Sequence, residues 1–327
     1  PSRRSTRAAR ARARRRKRPS APWRTRHSIC SRAQTRPLAA AAGSRSRKQE
    51  RAAELEAQIL EAGPDTIAAM IAEPVSGAGG VLIPPPGYYQ AIQAILDKYD
   101  IALWDDEVIC GFGRLGADFG ANALDMRPEM MVFAKALSSA YVPVSAAVVS
   151  GDFVEAVESA ASDMGVFGHG YTYSGHPLGC AVAHKVLEIY ERDQIFEHAA
   201  EVGHYLQEKL QAFVDHPLVG EVSGKGMIGA LELVANKETK QAFEGMAVGA
   251  YCAKAAEAAG LIVRPLGGNR IALCPPLILE REHVARPCDE PADRAPEQNE
   301  RRRSRGGHHD LGRDRRGSQP HRRNNKP

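Results

Sequence analysis

Short apolar segments that alternate with helical patterns constrain the fold of this 327-residue chain more than any other feature of its sequence. Four segments have the length and apolar content of buried strands: residues 67–72, 101–104, 131–134 and 144–149. Helical periods accompany them at residues 52–61, 87–99, 153–159, 179–190 and 196–214. Such alternation predicts a mostly parallel α/β sheet, with functional residues at the carboxyl ends of its strands.

The pattern changes near Pro217, where the segments become shorter and glycine more frequent. We predict strands at residues 219–222, 228–234, 262–264 and 270–273. An alanine-rich helix is predicted between them, at residues 247–260. The sequence therefore predicts two folded domains, a large α/β domain over residues 49–216 and a smaller α+β C-terminal domain over residues 217–284.

Three groups of polar residues follow the apolar segments of the large domain. Asp106 lies among three adjacent carboxylates at the end of one predicted strand, and Lys135 follows the next one. Residues 170–175 form a Gly/Ser/Thr turn. Taken singly, these are an acidic turn, a surface lysine and a tight turn. Together they are the parts that pyridoxal phosphate requires: an acid for the pyridine nitrogen, an amine for a Schiff base and a loop for the phosphate.

Six segments, occurring in the order of the family, resemble the class III (omega-type) aminotransferases of pyridoxal phosphate fold type I. They read IAEPVSGAGG (71–80), DEVICGFGR (106–114), AKALSS (134–139), HGYTYSGHP (169–177), GKGMIGALEL (224–233) and VRPLG (263–267). This resemblance covers roughly residues 49–284 and neither end of the chain. It implies transfer of an amino group from an amine or amino acid to a keto acid such as pyruvate, with an aminomutase or a decarboxylase as the nearest alternatives.

The resemblance also implies roles for three residues around the cofactor. Lys135 would form the Schiff base and move the proton between substrate and cofactor, because a lysine amine loses its proton readily when desolvated. Asp106 would pair with the pyridine nitrogen. Val108 would pack against the face of the ring.

Three more residues are implied to act on the phosphate and the substrate. Thr172 would bind the cofactor phosphate of a neighbouring subunit, so that the site is complete only in a homodimer. Arg264 would hold the substrate carboxylate, since a guanidinium binds carboxylates in a bidentate manner. Glu73 would approach Arg264 as its counter-ion in the resting state.

Compared with the family, the chain lacks the N-terminal part, which by resemblance supplies a phosphate-binding cup, a ring-stacking aromatic residue and several strands. The last helix of the small domain, expected after Pro276, is replaced by a basic tail. Ala136 and Ala140 stand where glycine is usual. We therefore expect the 327-residue chain as written to be a poor catalyst or none.

Both ends of the chain are basic, although the middle is acidic. Residues 1–48 contain 17 Lys and Arg and no acid, whereas residues 49–280 carry a net charge of −17. We predict residues 1–48 and 285–327 to be disordered. The arginine-rich N-terminus is open to three interpretations: a nuclear-localisation or nucleic-acid patch, an organelle transit peptide, or translation of a GC-rich gene in a wrong frame. We favour the third, which sequencing of the gene across both junctions would test.

Other classes of function find little support in the sequence. Non-specific nucleic-acid binding through the tails is an alternative, but an acidic core should repel DNA. The apolar segments are too short for a membrane span. The six cysteines are scattered without a Cys-x-x-Cys pair, which indicates reduced thiols and a cytoplasmic protein, and we expect no metal site.

Overall fold

The structure is a computed structural model, which describes residues 27–30 and 44–285 and the side chains of residues 49–285. Its larger sheet has five strands in the order β1-β2-β3-β4-β5. The strands are β1 (His27–Cys30), β2 (Ile67–Ala72), β3 (Ala102–Asp106), β4 (Met130–Phe133) and β5 (Ala146–Val149). The first four strands run parallel, and β5 pairs with β4 in the antiparallel direction. The predicted α/β fold is confirmed, with β5 as its antiparallel edge.

Six helices follow or cover this sheet. They are α1 (Ser44–Ala62), α2 (Tyr88–Tyr99), α3 (Gly120–Ala123), α4 (Gly151–Met164), α5 (Pro177–Arg192) and α6 (Ile195–Gln211). Helices α1 and α2 bury their apolar faces against β2 and β3, with Leu55, Ile59, Met70, Ile92 and Leu103 in one cluster. Helices α5 and α6 enclose a second cluster beside β4, which includes Phe133 and Leu206. Burial of these apolar side chains is the main contribution to the stability of the large domain.

The smaller domain is built on a four-stranded antiparallel sheet in the order β6-β7-β9-β8. Its strands are β6 (Val219–Lys225), β7 (Ile228–Leu233), β8 (Arg264–Leu266) and β9 (Arg270–Leu273). Helix α7 (Val248–Ala258) precedes β8, and the short α8 (Arg281–Ala285) ends the described chain.

A close contact joins the two sheets at the Gly-rich turn that follows β3. One guanidinium nitrogen of Arg114 donates to the carbonyls of Met227 (2.9 Å) and Pro275 (2.6 Å). The N–H of Met227 donates in return to the carbonyl of Arg114 (2.8 Å). Gly226, at φ +58°, lies so close that an added Cβ would stand 2.4 Å from the carbonyl carbon of Leu115. Only glycine fits at this turn, and it allows the small sheet to pack on the large domain.

The structure differs from the sequence predictions at two places near the N-terminus. Residues 27–30 form β1, and α1 begins at Ser44 rather than at residue 52. A four-residue strand has too few positions to show a period, so its pairing with β2 leaves no sequence signal. Arginine and lysine are good helix formers, which allows α1 to extend upstream of its apolar face. The other residues predicted to be disordered, in 1–48 and 286–327, lie outside the described residues.

Smaller differences concern single elements. The strand predicted at residues 262–264 lies at Arg264–Leu266 instead, and the four-residue helix α3 was not predicted. None of the helices in the described part of the chain is long and apolar enough to cross a membrane.

Candidate active site

The carboxyl ends of β2, β3 and β4 meet at one edge of the large sheet. These strands are parallel and in register, with Ala72 opposite Asp105 and Asp106 opposite Val132. Glu73 directly follows β2, Asp106 ends β3, and Lys135 lies three positions beyond Val132. The sheet therefore brings the predicted acid and the predicted amine to the ends of neighbouring strands, as the α/β pattern of the sequence indicated.

The carboxylate of Asp106 is fixed by the turn that follows it. Its Oδ1 accepts a hydrogen bond from the N–H of Val108 (3.0 Å). The N–H of Glu107 continues the strand pairing to the carbonyl of Val132 (3.0 Å). No lysine, arginine or histidine of the described ranges forms an ion pair with Asp106. A half-buried carboxylate without a protein cation fits a positively charged pyridine nitrogen.

Lys135 opens a short 3₁₀ turn, Lys135–Ser138, in an uncommon backbone conformation. Its φ is +43°, and Ser139 and Ala140 also have positive φ, at 46° and 61°. For residues with a Cβ atom the left-handed region costs about 1–2 kcal/mol each. The Lys135 side chain is exposed and has no ion pair within the described chain. Strain of this kind is typical of functional turns, and here it accompanies an accessible amine just after β4.

Tyr190, in the last turn of α5, holds the turn that carries Lys135. Its buried hydroxyl donates to the carbonyl of Ala136 (2.7 Å) and shares a hydrogen bond with Oγ of Ser139 (2.8 Å). Burial raises the pKa of Tyr190 above its usual value, which keeps the hydroxyl available as a donor. The sequence alone could not identify this residue, because its role depends on the packing of α5 against the turn.

Replacing Tyr190 with phenylalanine is expected to lower the free energy of unfolding by about 1–2 kcal/mol, because two buried hydrogen bonds are lost. Amide hydrogen exchange over residues 136–140 should become faster. The matched control is Tyr141→Phe, because Tyr141 is 80% exposed. Urea unfolding and exchange measured by mass spectrometry test this prediction. Unchanged exchange at residues 136–140 in Tyr190→Phe would refute the supporting role.

Thr172 neither ends nor follows a strand of the large sheet, unlike Asp106 and Lys135. It sits in an exposed turn before α5, where Oγ of Ser174 accepts from the N–H of Tyr171 (2.9 Å). The fourteen residues from Pro177 to Tyr190 correspond to about 20 Å of helix. Thr172 lies before the N-terminus of α5. The C-terminal turn of the same helix contacts the segment after Lys135, through the hydrogen bond from Tyr190 to Ala136. No hydrogen bond within the described ranges joins Thr172 to Asp106 or to Lys135.

No ion pair joins Arg264 to Glu73 among the residues that the structure describes. Arg264 begins the edge strand β8, is exposed, and has no ion pair among the described residues. The carboxylate of Glu73 accepts from the N–H of Gly77 (3.0 Å) and from the hydroxyl of Ser76 (3.4 Å), so it stabilises the loop after β2. The predicted counter-ion role of Glu73 therefore stays a prediction.

Two acidic residues beside Asp106 are buried, which rules out a hydrated acidic turn. Asp105 and Glu107 are 0% and 1% exposed. The carboxylate of Glu107 accepts from the N–H groups of Gly120 (2.9 Å) and Ala121 (2.8 Å) at the start of α3. These contacts give Glu107 a structural role at the start of α3. Strand alternation could have placed both residues on the face of Leu103, opposite Asp106.

A buried arginine of the small domain was also missed. Arg270 forms ion pairs with Glu221 (2.6 Å) and Glu232 (3.2 Å), and it donates to the carbonyl of Gly80 (3.2 Å). It thereby links β9 to the loop that follows β2. Within the described part of the chain, no cluster of histidine, cysteine, aspartate or glutamate is arranged to hold a metal ion.

Comparison with known proteins identifies the family. A model of the class III aminotransferases matches residues 25–292, which is wider at both ends than the motifs indicated. Diaminobutyrate–2-oxoglutarate transaminase of Halomonas elongata is 46% identical over 236 residues, which are 71% of this chain and 50% of that protein. The chain spans about half the length of the curated relatives it matches.

Solved structures agree with this result. The omega transaminase of Pseudomonas jessenii in complex with PMP has a TM-score of 0.74 and 43% identity, covering 77% of this chain and 56% of that one. A structure described as a transaminase with L-Ala has a TM-score of 0.74 and 42% identity, covering 77% and 59%. The predicted fold, pyridoxal phosphate fold type I, is confirmed. The chain belongs to the class III aminotransferases, a family that uses pyridoxal phosphate.

Proposed function

We propose that this chain carries the lysine and the ring-binding carboxylate of an aminotransferase that moves an amino group from an amine or amino acid to a keto acid. One observation carries this proposal: Asp106 and Lys135 end or follow neighbouring parallel strands, and neither has an ion-pair partner in the described chain. Family membership supports the reaction class. The nearest alternatives within the cofactor class are an aminomutase and a decarboxylase.

Each residue at the sheet edge has a distinct task in this proposal. When bound, pyridoxal phosphate supplies the electron sink that makes proton removal from a substrate carbon possible. Asp106 would hold the protonated pyridine nitrogen through an ion pair. Val108, whose N–H donates to Asp106, would pack against the ring. Lys135 would hold the cofactor through its amine and would act as the general base and acid for the substrate proton.

A homodimer would complete the site. Thr172 lies in an exposed turn and forms no hydrogen bond to Asp106 or Lys135 within the described chain, which supports a role at the phosphate of a neighbouring subunit. Large apolar side chains around it are exposed, with Phe167 at 59% and Tyr171 and Tyr173 at 78% each. A surface of this kind indicates a protein–protein contact. The dimer and the domain limits of 49–216 and 217–284 belong to this proposal.

Arg264 and the reaction class indicate which substrates the site would bind. An exposed guanidinium without an ion pair in the described ranges suits a carboxylate-bearing donor or acceptor. We propose pyruvate as an acceptor, which the transaminase structure described with L-Ala supports, since alanine is the amino form of pyruvate. A cytoplasmic location stays a prediction, and nucleic-acid binding through the tails stays an alternative.

A coupled assay tests the proposed function. The chain, and a version extended with the N-terminal half of a full-length relative, are incubated with pyridoxal phosphate, an amino donor and pyruvate. We expect the extended version to form one keto product for each alanine, and the 327-residue chain to turn over far more slowly. Release of carbon dioxide without alanine would indicate a decarboxylase, and isomerised donor an aminomutase. No product from either protein would contradict the proposal.

A further inference from the structure

Asp105 is a fully buried carboxyl group that the reaction proposed above does not use. It is 0% exposed, and neither of its oxygens has a hydrogen-bond partner with good geometry among the described residues. Strand β3 pairs with β2 on one side and with β4 on the other, and Asp105 lies opposite Ala72 of β2 and Met131 of β4. An ionised carboxylate at such a place would lack both water and a donor, which is a costly arrangement.

Its neighbour on the same face of the strand is Glu107, whose environment is different. The Glu107 carboxylate accepts two backbone N–H groups at the start of α3, and these donors favour its charged form. Two carboxylates side by side in a buried place do not both ionise readily, because each charge disfavours the other. With two donors on Glu107 and none on Asp105, the proton belongs on Asp105.

The charges around the pair lead to the same assignment. Burial, followed by the charges of Glu107 and Asp106, raises the pKa of Asp105 to about 9. Burial raises the pKa of Glu107 as well, but the N–H groups of α3 oppose that shift. Glu73 and the buried thiol of Cys110 are the other titratable groups nearby. Within the described chain, no cation forms an ion pair with Asp105 or Glu107.

We propose that Asp105 is held as a neutral carboxylic acid at neutral pH and acts as a positioning residue for Asp106. With Asp105 neutral, the charge of Glu107 is stabilised by α3 and Asp106 is the one uncompensated carboxylate at the end of β3. An ionised Asp105 would place a second buried charge beside Asp106, and the two like charges would disfavour each other. The positioning role for Asp106 rests on the proposed function, whereas the protonation of Asp105 does not.

Infrared spectroscopy of the full chain without cofactor tests the proposal. At neutral pH we expect the C=O stretching band of a protonated carboxylic acid, which disappears as the pH rises through about 9. Asp105→Asn should remove this band, and the matched variant Asp106→Asn should retain it. Absence of the band in the unmodified chain, or its persistence in Asp105→Asn, would overturn the proposal.

Glu107→Gln provides a second variant in case Asp105→Asn does not fold. Because Asp105 stays buried in Glu107→Gln, the carboxylic acid band should persist in this variant. Loss of the band would assign the proton to Glu107 instead and would overturn the proposal. With pyridoxal phosphate bound, Asp105→Asn should also change the alkaline side of the pH titration of the cofactor absorbance. Failure of the extended version to bind the cofactor would refute the proposed function and leave the infrared result standing.

Discussion

Replacing Lys135 with alanine is expected to reduce amino-group transfer by roughly 10³-fold or more. The expected loss is large because one side chain both attaches the cofactor and moves the substrate proton, and proton transfer alone contributes about 10²–10⁴-fold. The absorbance of the attached cofactor should disappear with the activity. Stability should change little, because Lys135 is exposed and alanine takes no more space. Initial rates and absorbance spectra of the extended version provide the measurement.

The matched control for this prediction is Lys185→Ala. Lys185 is exposed on α5 and forms a surface ion pair with Glu188 (2.8 Å), so its loss should leave both rate and spectrum unchanged. Equal losses in the two variants would indicate a general charge effect. A cofactor band that survives in Lys135→Ala would show that another amine attaches the cofactor.

The free energy of unfolding is expected to fall as the pH rises from about 4 to about 9, and Asp105→Asn should remove much of this slope. An unfolded Asp105 loses its proton near 3.8, whereas the folded chain keeps it to about 9. Across this window the folded state binds more protons than the unfolded state, so a higher pH favours unfolding. The slope from one group is at most about 1.4 kcal/mol per pH unit. Below about pH 4 both states are protonated and the contribution vanishes.

Urea unfolding at a series of pH values tests this prediction. The control is Asp118→Asn, which changes an exposed carboxyl and should leave the slope as it is. Asp105→Asn should therefore gain stability relative to the unmodified chain, and the gain should grow with pH. Parallel pH curves for the unmodified chain and Asp105→Asn would show that Asp105 does not stay protonated on folding.

The sequence predicted the parts of the fold that depend on local patterns. Strand β2 was predicted with its observed ends, and the carboxyl ends of β3 and β4 were placed within two residues. Asp106 and Lys135 could be assigned to one edge because apolar runs of strand length in an α/β pattern imply parallel strands. The six motifs led to the family that the comparisons confirm.

Local sequence patterns could not predict the contacts that support the sheet edge with Asp106 and Lys135. Tyr190 acts through the packing of α5. Arg270 binds three partners that are 38, 49 and 190 positions away in the chain. No role was predicted for Asp105, although its period-2 spacing to Leu103 indicates the buried face of the strand. Sequence patterns indicate which face of a helix or strand is buried. The roles of these residues depend on which other residues pack against that face.

The most direct test of the proposed site is to find which lysine of the unmodified chain takes the cofactor. A limiting amount of pyridoxal phosphate is added, the adduct is fixed with borohydride, and peptides are identified by mass spectrometry. We predict that most of the adduct lies on Lys135 and that Asp106→Asn reduces its share. Adduct spread over exposed lysines such as Lys185, or concentrated on a lysine other than Lys135, would contradict the assignment of Asp106 and Lys135 to one active site.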